Sequence, residues 1–310
     1  MQKGIKILIG ILAVIVLAFI TFFVLTMRGP LDNNYKQNNY LVNYSYEYPI
    51  FTSDISGFEY KKTGSGFVIY YHNDSEINAN KALAILEQRG LDLYKRYLGI
   101  EPKDIPVFLT TDIDEYVRVA EFPGGKENVQ IGDGSAPNGK IYVYKPFEEK
   151  DKGKTEGMII HEGVHAALYQ FFGPYDIGNL PGFLNEGFAH YIEFVFKAGP
   201  DFNPIEQIYH SDLLVNSIQT GNPKLLSLDE LGDKCEGYIA EEELNFLCRA
   251  QGTFTIWHIN KNYDSETLQK FLVDLKQTKN WKDSLANATG KTRGEFGEEI
   301  VEKLKEIITN

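Results

Sequence analysis

The residues best able to do chemistry lie close together in the chain. In GMIIHEGVHAALYQFF, which reads as helix, His161 and His165 are four residues apart. That spacing puts both imidazoles on one face about a turn apart, within reach of one ion. Glu162, beside the first histidine, can reach toward a water on that ion. Glu186 offers a third donor from a second apolar stretch, LPGFLNEGFAHYIEFV, which can return antiparallel after the turn residues Gly173, Pro174, Gly178 and Pro181. Two imidazoles and one carboxylate leave a position open on a tetrahedral zinc ion, the mark of a catalytic rather than a structural site. Zn2+ held there would polarise a scissile carbonyl and acidify its water, with Glu162 taking the proton. The spacing therefore predicts metal-assisted amide hydrolysis.

Each histidine alone would be better read as a packed core residue. With only 6 histidines in 310 residues, however, a chance HExxH is on the order of 1 in 100. A matching glutamate stretch at a suitable distance lowers that further. The first helix is expected over about Thr155 to Phe172, with Met158, Ile159, Ile160, Val164, Leu168 and Phe171 making it apolar on most sides. Gly163 lowers its helix propensity and implies close packing against a neighbour. The second helix begins at Pro181 or Gly182, with Phe183, Leu184, Phe188, Ile192 and Phe196 as its apolar stripe. On it, His190 and Glu193 follow Glu186 by one and two turns, so either can orient a ligand imidazole. Asn185 is expected to bond locally.

HEGVH followed by NEGFA resembles the two metal-binding helices of the gluzincin metallopeptidases. The second motif is similar to that of membrane-alanyl-type aminopeptidases and of compact bacterial peptidase MA-like domains. The resemblance is close over the two motifs and looser over roughly residues 66 to 290. It implies His161, His165 and Glu186 as zinc ligands, Glu162 as general base, and a peptide or protein substrate. It also implies that the strand before the HExxH helix, Ile141 to Tyr144, is a sheet edge on which an extended peptide can add. Gluzincins commonly stabilise the oxyanion with a tyrosine or histidine beyond the glutamate helix; Tyr238 is the first candidate here, ahead of His210 and Tyr209. No GxMEN-like motif precedes His161 and the chain is short for a multidomain aminopeptidase, so an endopeptidase is favoured over an exopeptidase. The competing reading is a catalytically degenerate peptidase-like binding or structural module at the cell surface.

The formal net charge of -12 argues against a nucleic-acid partner, which needs a basic footprint. Ile5 to Met27 is an apolar run long enough to span a bilayer, preceded by Lys3 and Lys6. It predicts a transmembrane signal anchor, with the membrane as a partner. The expected localisation is the cell membrane, single-pass with the catalytic domain outside, or secreted if the segment is cleaved. Cys235 and Cys248 are too few for a disulfide framework; one bridge and two buried thiols are both open readings.

The expected organisation is a cytoplasmic tip and anchor over 1–28, a tether and N-terminal arm over 29–65, and a metallopeptidase domain over 66–310. Tyr44, Tyr46 and Tyr48 alternate as a short strand would. Strands are expected at Gly66 to His72 and Ile105 to Thr110, the latter with Pro102 and Pro106 at or near its own edge. Two further short strands are expected near Asn128 to Ile131 and Lys140 to Tyr144. Helices are expected over Ile77 to Leu98, stopped by Gly99, and over Asp112 to Glu121. Further helical stretches are expected from about Tyr238 to Gln251, over Phe254 to Lys261, at Leu268 to Leu275 and at Phe296 to Ile308. The fold class so predicted is α+β: an N-terminal transmembrane helix, a small mixed sheet with helices, then a mainly helical lobe, with the zinc site between sheet and lobe.

Overall fold

The computed structural model describes residues 57–120, 126–151, 153–203, 225–235 and 242–309. All of these belong to the unit Leu41–Asn310. Its sheet has five strands: β1 Tyr60–Thr63, β2 Phe67–Tyr71, β3 Ile105–Thr110, β4 Gly134–Ser135 and β5 Ile141–Tyr144. Their spatial order is β1-β2-β3-β5-β4. The three central strands run parallel and both outer pairs are antiparallel, so the sheet is mixed.

The alternation of side chains gives the sheet two different faces. Ile105, Val107, Leu109, Ile141 and Val143 point into the main aliphatic core, while Phe108, Tyr142 and Tyr144 point the other way. On that second face Phe108 stacks between Tyr70 and Tyr142, with ring centroids 5.0 and 4.9 Å away. Helix α3, Ile113–Val119, covers it through the buried Tyr116 and is capped by Asp112, whose side chain accepts from the Glu115 N–H at 2.8 Å.

Against the aliphatic face pack α1 Glu76–Ile85, a π-helical turn Leu86–Gly90 and α2 Leu91–Leu98, which together fill the single helix expected there. Gly99 closes the run in the left-handed conformation at φ 69°. The two motif helices follow: α4 Lys154–Phe172 and α5 Gly182–Ala198. The helical lobe comprises α6 Leu228–Lys234, α7 Glu242–Asn262, α8 Ser265–Thr278, α9 Trp281–Thr289 and α10 Arg293–Thr309. Helix α6 opens with a capping box, Ser227 and Glu230 bonding each other's backbone N–H. Its end is joined to α7 by the disulfide Cys235–Cys248.

Several local expectations change. Pro106 lies near the start of its strand, and that strand, β3, is central in the sheet. The Ile105 N–H donates toward β2, to Gly66 O at 3.0 Å. The next nitrogen therefore faces β5, whose pairing with β3 begins only at Val107, so proline removes no ladder bond. The strand expected at Asn128 to Ile131 is instead a turn of 3-10 helix at Lys126–Asn128, and β4 lies just beyond it. That makes β4, not Ile141 to Tyr144, the outermost strand on this side. The break expected between Gln251 and Phe254 is absent, and α7 runs unbroken through Gly252. The segment Trp281 to Gly290, read as a separator, is mostly helix α9. The strand expected at Tyr44 to Tyr48 lies outside the described residues.

The membrane reading is corrected. Among the described residues no helix is long and apolar enough to cross a membrane, and Ile5 to Met27 lies outside them. An apolar run states a transfer preference, which does not by itself establish a spanning helix. The described residues form an α+β domain with a small mixed sheet and a helical lobe, and no transmembrane helix is among them. The signal anchor, the membrane as partner and the cell-membrane localisation find no support among the described residues and are not carried further.

Candidate metal centre

Helix α4 lies between the sheet and α5, so His161 and Glu162 are buried, at 9 and 8 % exposure. Gly163 is what lets it sit there. A β-carbon at that position would be 2.0 Å from the Tyr94 hydroxyl of α2, which donates to the Ile160 carbonyl at 3.0 Å. Helix α5 is held against α7 by a second close approach. A β-carbon on Gly187 would meet the Gly252 backbone at 2.6 Å, and one on Gly252 would meet the Phe183 carbonyl oxygen at 1.9 Å. This crossing explains why Gly252 occupies a helix interior despite its propensity cost. It also brings Arg249 of α7 over the residues presented by α5.

The Nε2 atoms of His161 and His165 face each other at 3.1 Å. Glu186 completes the group, with Oε2 3.7 Å from His161 Nε2 and Oε1 3.5 Å from His165 Nε2. Two donors at 2.0–2.1 Å from a tetrahedral ion lie about 3.4 Å apart, so these separations match atoms sharing one cation. A third imidazole is close by: among the described residues His161, Glu186 and His190 present donor atoms that all lie within 4.8 Å of one another, a group that does not include His165.

The outer hydrogen bonds fix which ring nitrogen is available. The Nδ1–H of His161 donates to Glu193 Oε2 at 3.2 Å, and that of His165 donates to Asn185 Oδ1 at 3.0 Å. Both acceptors lack a proton to give, so an imidazole with a single proton carries it on Nδ1 and turns its Nε2 lone pair toward the other ring. Two facing lone pairs repel, and a cation between them removes the conflict. Glu186 Oε2 and His190 Nε2 are likewise buried without a hydrogen-bond partner among the described residues. These orphaned atoms and this donor set fit zinc, which takes imidazole and carboxylate ligands.

Burial, then the neighbouring His190, hold the His161 imidazole down to about 4, outweighing its bond to Glu193. It is thus neutral, as a ligand must be, over the physiological range. Burial works against ionised Glu186, but His165, His161, Arg249 and His190 together hold it down to about 2. Burial also opposes the charge on Glu193, yet the hydrogen bonds from His161 and His190 keep it well below the usual carboxylate range. Glu162 differs. Burial pushes its carboxyl up to about 7, with His165 and Arg249 pulling against Glu186 and Glu193. One group of carboxylates is thereby divided into acceptors that stay ionised and one poised near neutrality.

Tyr238, Tyr209 and His210 lie outside the described residues. Arg249 escaped the sequence reading, because nothing in its local pattern points to Glu186. The half-exposed guanidinium has Nε 3.6 Å from Glu186 Oε2. It immediately follows Cys248, so the disulfide anchors its position on α7 to the end of α6. The other end of the site is covered by β4, where a β-carbon on Gly134 would come within 2.8 Å of Glu162 Cγ.

No protein-family model matches the chain, and no curated protein matches it either.

Proposed function

We propose that the protein is a zinc-dependent metallopeptidase of the gluzincin type, hydrolysing peptide bonds in peptide or protein substrates. The observation that carries this reading is the facing pair of Nε2 atoms of His161 and His165, 3.1 Å apart and beside Glu186. His161, His165 and Glu186 would hold the ion. Bound there, zinc would supply a Lewis acid for the scissile carbonyl and lower the pKa of the attacking water.

The remaining work falls to the chain's own groups. Glu162, buried and with its carboxyl pushed up to about 7, accepts a proton at neutral pH and can return it to the departing amine. Glu193 and Asn185 hold the two histidine rings through their Nδ1 protons. The Arg249 guanidinium is the positive charge at hand for the oxygen that becomes anionic during attack. An extended substrate is accommodated along β4, the last strand of the sheet and the one beside Glu162. Internal peptide bonds are the favoured targets, because no carboxylate group for a substrate amino terminus accompanies the motif.

The test is digestion of a mixed peptide library, read by mass spectrometry, with the zinc-loaded wild type and Glu162→Gln side by side. The wild type should cleave. The variant should keep its zinc and lose about 10²- to 10⁴-fold in rate, the usual worth of a general base. Equal cleavage by both proteins would remove Glu162 from the chemistry and with it this mechanism.

A further inference from the structure

One histidine of the cluster is not used by the reading above. His190 lies one turn beyond Glu186 on α5, its ring centroid 4.4 Å from that of His161. Its Nδ1–H donates to Glu193 Oε2 at 3.3 Å, the same oxygen that receives the His161 Nδ1–H at 3.2 Å. A single carboxylate oxygen thus orients two imidazoles in the same way, each with Nε2 turned forward. This is the outer partner that metal-bound histidines characteristically have.

What His190 Nε2 faces is Glu186 Oε2, at 3.7 Å, and neither atom has a hydrogen-bond partner among the described residues. The carboxylate contacts that histidine Nε2 makes outside this cluster behave differently. His72 Nε2 bonds Glu115 at 2.9 Å, and His258 Nε2 bonds Glu299 at 3.1 Å. If His190 were present merely to pair with Glu186, the two should close to a similar distance. They stand apart instead, at the separation of two donors around one ion.

Resting on the metal-site reading, we propose that His190 is a fourth protein ligand of the same ion. The site then offers three imidazoles and one carboxylate: His161, His165, His190 and Glu186. Four protein donors fill a tetrahedral zinc, as in structural sites, whereas catalysis needs an open position. The resting protein therefore holds its metal in a closed set, and a place for a non-protein ligand appears only when one donor withdraws. His190 is the donor to withdraw, because it extends the set that HExxH and Glu186 already complete. This makes the enzyme latent, with substrate engagement rather than metal supply as the switch.

The test uses the full chain loaded with zinc, and separately with cobalt. Zinc-edge X-ray absorption should count three imidazoles in the wild type and two in His190→Ala. The cobalt d–d absorption of the variant should weaken as solvent enters its coordination. Its zinc Kd should rise by more than the about 10- to 100-fold that losing an outer partner costs. Two imidazoles in the wild type, with an unchanged Kd and cobalt spectrum in the variant, would overturn the proposal and leave the peptidase reading intact. A wild type that binds no zinc would overturn both. Should His190→Ala fail to fold, the wild-type imidazole count decides the matter alone.

Discussion

Two buried histidine–carboxylate networks in this protein have opposite characters. In the helical lobe, Glu299 of α10 accepts from His258 Nε2, the Tyr263 hydroxyl and Lys291 Nζ, at 3.1, 2.9 and 2.5 Å. The other ring nitrogen of His258 is met by Asn262 at 3.0 Å. Every nitrogen of that histidine is used, and the network ties the end of α7 to α10. Around His161 the ingredients are similar, yet Nε2 faces Nε2 and two buried polar atoms have no hydrogen-bond partner among the described residues. A satisfied network is a structural brace. An over-supplied one, with lone pairs converging, is arranged for something not yet bound.

The sharpest way to break this distinction is to remove one histidine from each network. His165→Ala should weaken zinc binding by at least about 100-fold, more than the loss of an outer partner, while the protein stays folded. His258→Ala should leave zinc affinity unchanged and destabilise the fold by about 2–3 kcal/mol through its lost bonds and the cavity left behind. Calorimetric titration and denaturant melts read the two effects separately. Equal losses of affinity would erase the contrast.

Removing the carboxylates should follow the same division on a smaller scale. Glu193→Gln loosens His161 and should cost about 10- to 100-fold in zinc affinity. Glu299→Gln should lower the melting temperature only.

The pH dependence separates the networks again. As a base, Glu162 must be ionised; burial holds its carboxyl near 7 in the metal-free site and a bound cation lowers it, so kcat/KM should climb about tenfold per pH unit on the acid side and level at or below about 7. A profile flat from about pH 5 to 8 would exclude Glu162 as the titrating base. His258 titrates in the other sense, through stability. Burial is the main cause holding it below its ordinary 6.5. The unfolded chain then binds more protons than the fold, so stability falls as pH drops through the ordinary histidine range.

The smallest expected effect concerns the metal-free protein. Folding raises the Glu162 carboxyl from 4.5 to about 7. Between those values the fold binds more protons than the unfolded chain, so its stability declines as pH rises through that window. Glu162→Gln removes this penalty. At about pH 8 the metal-free variant should melt roughly 5 °C above the metal-free wild type in differential scanning calorimetry. A lower melting temperature would mean that the buried charge is compensated.

The same contrast between local and distant determinants governs what could be read from the chain. His161, His165, Glu186 and Glu193 lie on two helices whose period alone brings them to facing sides, so their neighbourhood was legible. Gly163 was legible as a packing site, although its neighbour Tyr94 was not. Arg249 was hidden, because it reaches Glu186 through the crossing of Gly187 and Gly252, which no local pattern announces. Strand β4 has two residues and no periodicity to detect. Pro106 is tolerated in a central strand because its missing N–H matters only if a neighbouring strand extends that far. The sequence left the state of Cys235 and Cys248 open, and the fold brings them together as a disulfide.

The measurement that bears most directly on the account is the zinc-to-protein ratio of the full-length wild type, loaded at neutral pH, freed of loose metal by gel filtration and analysed by atomic emission. About one zinc per chain, removed by a strong chelator and restored on reloading, is the predicted result. A protein that retains no zinc after loading, with its helices intact by circular dichroism, would show that the facing imidazoles do not form a zinc site and would contradict the account at its centre.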